Sequence, residues 1–125
     1  MRAYLAALNA ADVEAVLACV AEDFVNEHTA VDAVSRFGKA AYAAALPGFL
    51  QDFDGLRYRA ESIISDGAQV AVPYRMSFRH RPSSGAPVSV RGAFVFVLTP
   101  EGLIGRRTDY WDSGEVGRQI AAFHP

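Results

Sequence analysis

Apolar residues recur at helical spacing in the first third of the chain. One helix is predicted over Arg2–Leu8, and a second begins after Asp12, whose carboxylate is placed to cap it. The apolar stripe of the second helix repeats at i, i+3, i+4 and i+7 and consists of Val13, Val16, Leu17 and Val20. A third helix is predicted over about Lys39–Leu46. We expect Pro47 to break or kink it near Ala45, because proline lacks an amide hydrogen and clashes with the preceding turn.

Strand-like runs dominate the rest of the chain. The predicted strands are Phe24–Thr29, Leu56–Ser65, Gln69–Arg79, Val88–Leu98 and Leu103–Asp112. Asp66-Gly67 is a turn signal that makes the second and third strands a hairpin, and a short helix is predicted over Glu115–Phe123. Helices therefore come first and a meander of strands last, which is typical of an α+β domain with helices on one side of an antiparallel sheet.

Length and composition limit the classes of function. With 125 residues, 51% of them hydrophobic and 21% charged, the chain is predicted to be one globular domain spanning residues 1–125. A net charge of −2 argues against nucleic acid as a partner, because polyanion binding needs a clustered basic surface. We see no signal peptide and no apolar run near the roughly 20 residues of a membrane span, so a cytoplasmic location is expected. The single cysteine, Cys19, excludes an internal disulfide.

One predicted strand is apolar on both faces. In Val88–Leu98 the residues after Gly92 are hydrophobic without alternation. An antiparallel sheet usually leaves one face to water. We therefore expect the helices to cover one face and a second copy of the chain to cover the other, giving a homodimer.

The last predicted strand carries the clearest candidate chemistry. Alternation places Arg107, Asp109 and Trp111 on one face. Same-face pairs on two other strands are Asn26 with His28 and Arg75 with Ser77. If the sheet curves around these faces, a few polar groups converge against an aromatic wall, which is typical of a site for a small hydrophobic molecule.

Asp109 is the predicted general acid or base at this site. Desolvation raises the pKa of a buried carboxyl and a nearby arginine lowers it, so its proton affinity can be tuned. The predicted catalytic residues are Asp109, His28 and Arg75, and the predicted pocket residues are Asn26, Ser77, Arg107 and Trp111. Purely structural interpretations remain open, with Asp109 and Arg75 as an ion pair and Trp111 as core.

Several short segments in order resemble one superfamily. They are Leu8–Leu17 at the helices, Ala21–Phe24 at the first strand, Gly38, Asp66-Gly67, Gly102–Ile104 and Asp109–Asp112. Together they resemble the nuclear transport factor 2-like superfamily and, within it, the SnoaL-like proteins, over nearly the whole chain. The resemblance implies a curved, mixed-edge antiparallel sheet wrapped around the N-terminal helices as a cone, with an internal pocket and frequent dimerisation through the sheet. Its members include cyclases, isomerases, hydrolases and non-catalytic domains, so the fold decides little about chemistry.

A local similarity to limonene epoxide hydrolases concerns the same residues. It aligns their catalytic acid with Asp109, their water-holding residues with Asn26 and His28, and their Arg-x-Asp with Arg75-Met76-Ser77. Serine thus replaces the second aspartate. The epoxide hydrolase mechanism needs one carboxyl to give a proton and another to take one, and the second carboxyl is missing here.

The sequence therefore predicts a cofactor-free enzyme of isomerase or cyclase type acting on a hydrophobic, oxygenated substrate. The alternatives are a non-catalytic ligand-binding or dimeric interaction domain, and an epoxide hydrolase-like enzyme. No metal is expected, because His28, His80 and His124 stand apart without metal-binding spacing. No nucleotide cofactor is expected either, because no glycine-rich phosphate loop follows a strand.

Overall fold

The computed structural model describes residues 1–125 as four helices and a seven-stranded sheet. The helices are α1 (Arg2–Asn9), α2 (Val13–Ala18), α3 (Lys39–Asp52) and α4 (Ser113–Ala122). The strands are β1 (Val20–His28), β2 (Arg36–Phe37), β3 (Phe53–Ala60), β4 (Ile64–Asp66), β5 (Gln69–His80), β6 (Ala86–Leu98) and β7 (Ile104–Trp111). None of the helices combines the length and apolar character needed to cross a bilayer.

The sheet is mixed and open. Its strand order is β2-β1-β7-β6-β5-β3, and β4 pairs with β5 beside β3. All strand pairs are antiparallel except β1 and β7, which run parallel. The predicted α+β class, with its mixed edge, is confirmed.

Most predicted elements are present, with two differences described here. Val20 begins β1 instead of ending the second helix, which Asp12 caps through a 3.1 Å bond from the Ala15 amide. The predicted strand Leu56–Ser65 is divided into β3 and β4, both paired with β5. The first difference moves the end of an element, and the second adds a strand. A further strand that was not predicted, β2, lies between β1 and α3.

Of the two outcomes predicted at Pro47, a break and a kink, the break is wrong. Helix α3 continues through this proline to Asp52. Leu46 on one side is 2% exposed, and Phe49 on the other side packs against the core. Burial of apolar side chains on both sides thus outweighs the roughly 3 kcal/mol that a proline costs inside a helix.

The core lies between the helices and one face of the sheet, which we call the inner face. Alternate residues of β5 and β6 point to it, and the most buried of them are Val72, Tyr74, Phe94 and Phe96. From the helices, Tyr4, Leu8, Val16 and Leu46 complete this core. Aromatic rings are in direct contact across strands, with the centroids of Tyr74 and Phe94 4.5 Å apart.

The opposite, outer face of the sheet is divided in character. Outward-pointing residues at one end are apolar, among them Val95 and Val97, which are partly buried, and Ile64 and Tyr110, which are 58% and 50% exposed. At the other end Arg59, Arg75 and Arg91 lie directly opposite one another on β3, β5 and β6. The homodimer through this face remains a prediction.

Candidate active site

A cavity of about 600 Å³ opens between α3, the loop after β1 and the inner face of the sheet. Twelve of its twenty lining residues are hydrophobic, including Phe49, Met76 and Trp111. Its inner polar groups are Asn26, His28, Arg107 and Asp109. A largely apolar cavity with a small number of polar groups is the usual form of a small-molecule site.

The parallel pairing of β1 and β7 brings the polar groups together. In the register of this pair Asn26 lies opposite Arg107, and His28 lies opposite Asp109. Because alternate residues of a strand share a face, all four side chains point to the inner face. Trp111 follows two residues later on β7 and also lines the cavity. Five of the seven site residues predicted from the sequence are therefore neighbours.

Asp109 is a buried carboxyl held on one oxygen. It is 4% exposed, and the Tyr74 hydroxyl donates to its Oδ1 at 2.6 Å. Its Oδ2 accepts no hydrogen bond from the chain, and no fully buried side-chain oxygen or nitrogen lacks a partner, so Oδ2 is open to the cavity. Burial raises the pKa of Asp109, while the Arg107 charge and the Tyr74 hydrogen bond lower it by less. The carboxyl therefore exchanges its proton closer to neutrality than an ordinary aspartate does.

A glycine makes room for the Tyr74 bond to Asp109. A Cβ atom at Gly92 would lie 2.5 Å from the Tyr74 hydroxyl oxygen and 2.7 Å from the Tyr110 carbonyl oxygen. Any other residue at this position would push the hydroxyl away from the carboxyl. Gly92 thus serves the geometry of the site without lining the cavity.

His28 is a neutral neighbour of the carboxyl. Trp111 donates its indole hydrogen to His28 Nδ1 at 3.2 Å, which places the proton of the neutral ring on Nε2. Burial, together with the charges of Arg107 and Arg36, lowers the pKa of His28 to about 4. The 3.7 Å approach of Nδ1 to Asp109 Oδ2 is therefore not an ion pair at neutral pH. In this arrangement His28 carries no charge at neutral pH.

Arg107 is a buried cation whose hydrogen-bond partners are neutral. It is 4% exposed, and its Nε donates to Asn26 Oδ1 at 2.8 Å and its Nη1 to the Tyr4 hydroxyl at 2.9 Å. Its guanidinium carbon lies 4.9 Å from the centroid of Phe94. Burial acts to lower the pKa of Arg107, but Tyr4, Tyr42 and Asp109 together raise it by more, so the net shift is upward and the side chain remains charged.

The predicted placement of Arg75 and Ser77 in the pocket is wrong. Both are exposed on the outer face, whereas Tyr74, Met76 and Phe78 between and beside them point inward. The alternative interpretation, in which Arg75 and Asp109 form a structural ion pair, is excluded for the same reason. The arginine whose charge acts on Asp109 is Arg107.

Sequence reasoning missed the tyrosines of the site. Tyr74 binds Asp109, Tyr4 binds Arg107, and Tyr42 and Tyr58 line the cavity. A signal for β5 was available, because its inward residues form an unbroken alternating series, Val70, Val72, Tyr74, Met76 and Phe78. That series alone assigns Arg75 to the other face. For the distant Tyr4 and Tyr42 the sequence carries no comparable signal.

The chain has no ready metal site. No three histidine, cysteine, aspartate or glutamate side chains converge in a way that could hold a metal ion.

An open mixed sheet packed on helices, with a largely apolar cavity on its inner face, defines a pocket-bearing α+β domain. The family model described as SnoaL-like domain matches residues 1–107, so the chain belongs to the SnoaL-like domain family. No curated protein sequence is significantly similar to it.

Solved structures share the fold at low sequence identity. A candidate SnoaL-like polyketide cyclase from Shewanella denitrificans OS-217 is 15% identical with a TM-score of 0.86, over 98% of this chain and 94% of that one. A candidate polyketide cyclase from Xanthomonas campestris pv. campestris is 24% identical with a TM-score of 0.84, over 95% and 92%. SalBIII, an epoxide hydrolase/cyclase-like enzyme linked to pyran ring formation in salinomycin, is 23% identical with a TM-score of 0.78, over 90% and 87%. At these identities the likeness shows the fold alone.

Proposed function

We propose that this protein is a cofactor-free enzyme of isomerase or cyclase type that acts by acid–base chemistry on a small, hydrophobic, oxygenated molecule. One observation carries the proposal. The Asp109 carboxyl is buried, fixed by Tyr74 on one oxygen and open to an apolar cavity on the other.

The chemistry follows from the environment of that carboxyl. Its raised pKa makes the ionised form a stronger base than an exposed aspartate, and suits it to take a proton from carbon and return it. General acid–base catalysis by a positioned side chain contributes about 10²–10⁴-fold in rate. The neutral His28 lies 3.7 Å from the carboxyl, and the amide nitrogen of Asn26 lies 3.4 Å from His28, so both are assigned to orient a carbonyl group or a water.

The structural neighbours support the class without fixing the reaction. Two are named as candidate polyketide cyclases and one as an epoxide hydrolase/cyclase-like enzyme. An epoxide hydrolase-like mechanism needs a second carboxyl that acts with Asp109. Asp32 and Asp52 line the cavity but are exposed at its edge, and Ser77 lies on the outer face. The geometry therefore favours chemistry with a single carboxyl.

Exchange of carbon-bound hydrogen in D₂O tests the proposal directly. A panel of cyclic ketones and 1,3-dicarbonyl compounds is incubated with the protein, and loss of the signal of the hydrogen next to the carbonyl is followed by NMR. We expect catalysed exchange with at least one compound, and a reduction of about 10²-fold or more in Asp109→Asn.

Asp112→Asn is the matched control, because Asp112 follows the same strand, is exposed, and caps α4 through a bond that asparagine also makes. Its exchange rate should equal that of the wild type. Unchanged exchange in Asp109→Asn would refute the acid–base role. Tight ligand binding without any exchange would instead identify a non-catalytic binding domain.

A further inference from the structure

We propose that the cavity contains an oxyanion site formed by Arg107 Nη2 and the Tyr42 hydroxyl, and that the substrate is a ketone or 1,3-dicarbonyl compound whose oxygen becomes negative there. The reaction named in this proposal rests on the proposed function. The oxyanion site is tested by ligand binding alone, so it can be refuted independently of the proposed function.

The first element is an unpaired nitrogen on a buried arginine. Nε and Nη1 of Arg107 donate to Asn26 and Tyr4, whereas Nη2 donates to no group of the chain. No side-chain nitrogen of this protein is both fully buried and unpaired. Because Arg107 lines the cavity, Nη2 must face it. A guanidinium that keeps a free N–H inside an apolar cavity offers its charge to a ligand acceptor.

The second element is a chain of hydroxyls that begins at the same guanidinium. Arg107 Nη1 donates to the Tyr4 oxygen, which lies 2.6 Å from the Tyr42 oxygen. Tyr4 is 1% exposed and has no acceptor other than Tyr42, so its proton points to Tyr42. The proton of Tyr42 is then free, and Tyr42 lines the cavity. The chain therefore presents a second donor, polarised by the arginine charge.

A third hydroxyl reinforces the excess of donors. Tyr58 lines the cavity and its hydroxyl bonds to no group of the chain, so by the same reasoning it faces the cavity. Against these donors the inner end of the cavity holds one anionic acceptor, Oδ2 of Asp109, beside hydroxyl oxygens that can both donate and accept. The guanidinium of Arg107 can only donate, so a ligand beside it binds best through an acceptor oxygen, and a carbonyl group supplies one.

The reaction keeps the charge of the cavity constant. Asp109 Oδ2 takes a proton from the carbon next to the carbonyl, so a C–H bond breaks and an O–H bond forms. The C–H electron pair becomes the carbon–carbon double bond of an enolate, and the carbonyl π pair moves to oxygen. Negative charge thus passes from Asp109 to the oxygen beside Arg107, and return of the proton to another carbon restores the carboxylate. Donors already aimed at the oxygen stabilise this charge without reorganisation.

Binding of a stable oxyanion tests the site without turnover. The probe is 4-nitrophenol, whose ionised form is recognised by its visible absorbance, compared with the uncharged 4-nitrotoluene of similar shape. We expect the wild type to bind the phenolate more tightly than 4-nitrotoluene. Arg107→Met should weaken phenolate binding by roughly 10- to 100-fold, the cost of a charged hydrogen bond, and leave 4-nitrotoluene unaffected.

Tyr42→Phe keeps the ring that packs on Phe24 and removes only the hydroxyl, so it tests the site in a folded protein even if Arg107→Met unfolds. It should weaken phenolate binding by roughly 3- to 10-fold. Tyr110→Phe, which removes an exposed hydroxyl from the outer face, should change nothing.

The outcomes separate the two proposals. Equal binding of both probes by the wild type, or unchanged phenolate affinity in Tyr42→Phe, overturns the oxyanion site whatever Asp109→Asn does to exchange. Asp109→Asn removes a competing negative charge, so its phenolate affinity should match or exceed that of the wild type. Loss of phenolate binding in Arg107→Met and Tyr42→Phe, with exchange unaffected by Asp109→Asn, would support the oxyanion site and refute only the acid–base role.

Discussion

Arg106 and Arg107 are adjacent in sequence and lie in opposite environments. Arg106 points to the outer face and forms a 3.0 Å ion pair with Glu27, which also accepts from Thr108 at 3.0 Å. Arg107 points to the inner face and donates only to an amide and a hydroxyl, and the carboxyl two residues away is held by Tyr74. The outer arginine and carboxylate satisfy each other. The inner arginine and carboxyl, Arg107 and Asp109, do not bond to each other, and uncharged side chains hold each of them in place.

The two faces therefore differ in how much hydrogen-bonding capacity they keep for other molecules. An exposed ion pair contributes little to stability. Because its two charges already neutralise each other, it has little attraction for a third group. A buried cation and carboxyl that are kept apart retain bonding capacity for a third group. The cost is desolvation, which neutral hydrogen bonds compensate only in part. The inner arrangement is therefore the one that keeps hydrogen-bonding capacity for a ligand.

The largest expected effect is on stability. Arg107→Met removes the buried donor of Asn26 Oδ1, one of the two partners of Tyr4, and the positive charge that acts on Asp109. Loss of a buried charged member of such a network costs about 3–5 kcal/mol. Arg106→Met breaks only a partly exposed ion pair and should cost about 1 kcal/mol or less. Urea unfolding followed by tryptophan fluorescence measures both. Equal losses in the two variants would contradict the distinction between the faces.

The sequence predicted the inner site better on β7 and β1 than on β5. On β7 the polar and aromatic side chains that share a face are distinctive, and their common orientation follows from alternation alone. On β5 an arginine was assigned inward by similarity to another family, although the alternating apolar series ending in Phe78 assigns it outward. A one-residue change of face moves every side chain of a strand. Local periodicity was the better guide.

Other features were beyond local pattern. Gly92 is needed because Tyr74 crosses its position, and the Arg107–Tyr4–Tyr42 chain joins β7 to two helices more than 60 residues away in sequence. Such contacts depend on how the helices pack over the sheet. The continuation of α3 through Pro47 is of the same kind, because packing decides it against a strong local signal.

Gly92→Ala should produce the next largest effect. The new methyl group would overlap the Tyr74 hydroxyl and a backbone carbonyl, and overpacking of this kind costs about 1–3 kcal/mol. Displacement of the hydroxyl also removes a bond that lowers the pKa of Asp109, so that pKa should rise further. Gly117→Ala in α4 meets no atom within 4 Å and should be neutral or stabilising by up to about 1 kcal/mol. Urea unfolding compares the two, and a Gly92→Ala variant as stable as wild type would refute the close approach.

The carboxylates of the two faces should respond to pH in opposite directions. Burial raises the pKa of Asp109 above its ordinary 3.8, so the folded state binds the extra proton and stability falls as pH rises above that value. Hydrogen bonds from Arg106 and Thr108 lower the pKa of Glu27 below its ordinary 4.5, so its stabilisation is present above that value and is lost as pH falls through its folded pKa.

Unfolding free energies of Asp109→Asn and Glu27→Gln, each relative to wild type between pH 3 and 8, measure these slopes, and contributions from other groups cancel in the differences. Asp109→Asn should gain stability relative to wild type with rising pH, and Glu27→Gln should lose it. Slopes of the same sign would show that the two carboxylates do not differ in environment.

The smallest expected effect is on the pKa of the His28 imidazole, which accepts a hydrogen bond from Trp111. The indole N–H donates to His28 Nδ1, the position that a second proton would occupy, and so favours the neutral ring. Burial is the larger cause of the low pKa of His28, about 4, and it remains when the bond is removed. Trp111→Phe should therefore raise this pKa by about one unit, the worth of a single hydrogen bond. Imidazole proton shifts followed by NMR across a pH series report it. An unchanged titration would mean that desolvation alone keeps His28 neutral, and that Trp111 serves the cavity only as an apolar wall.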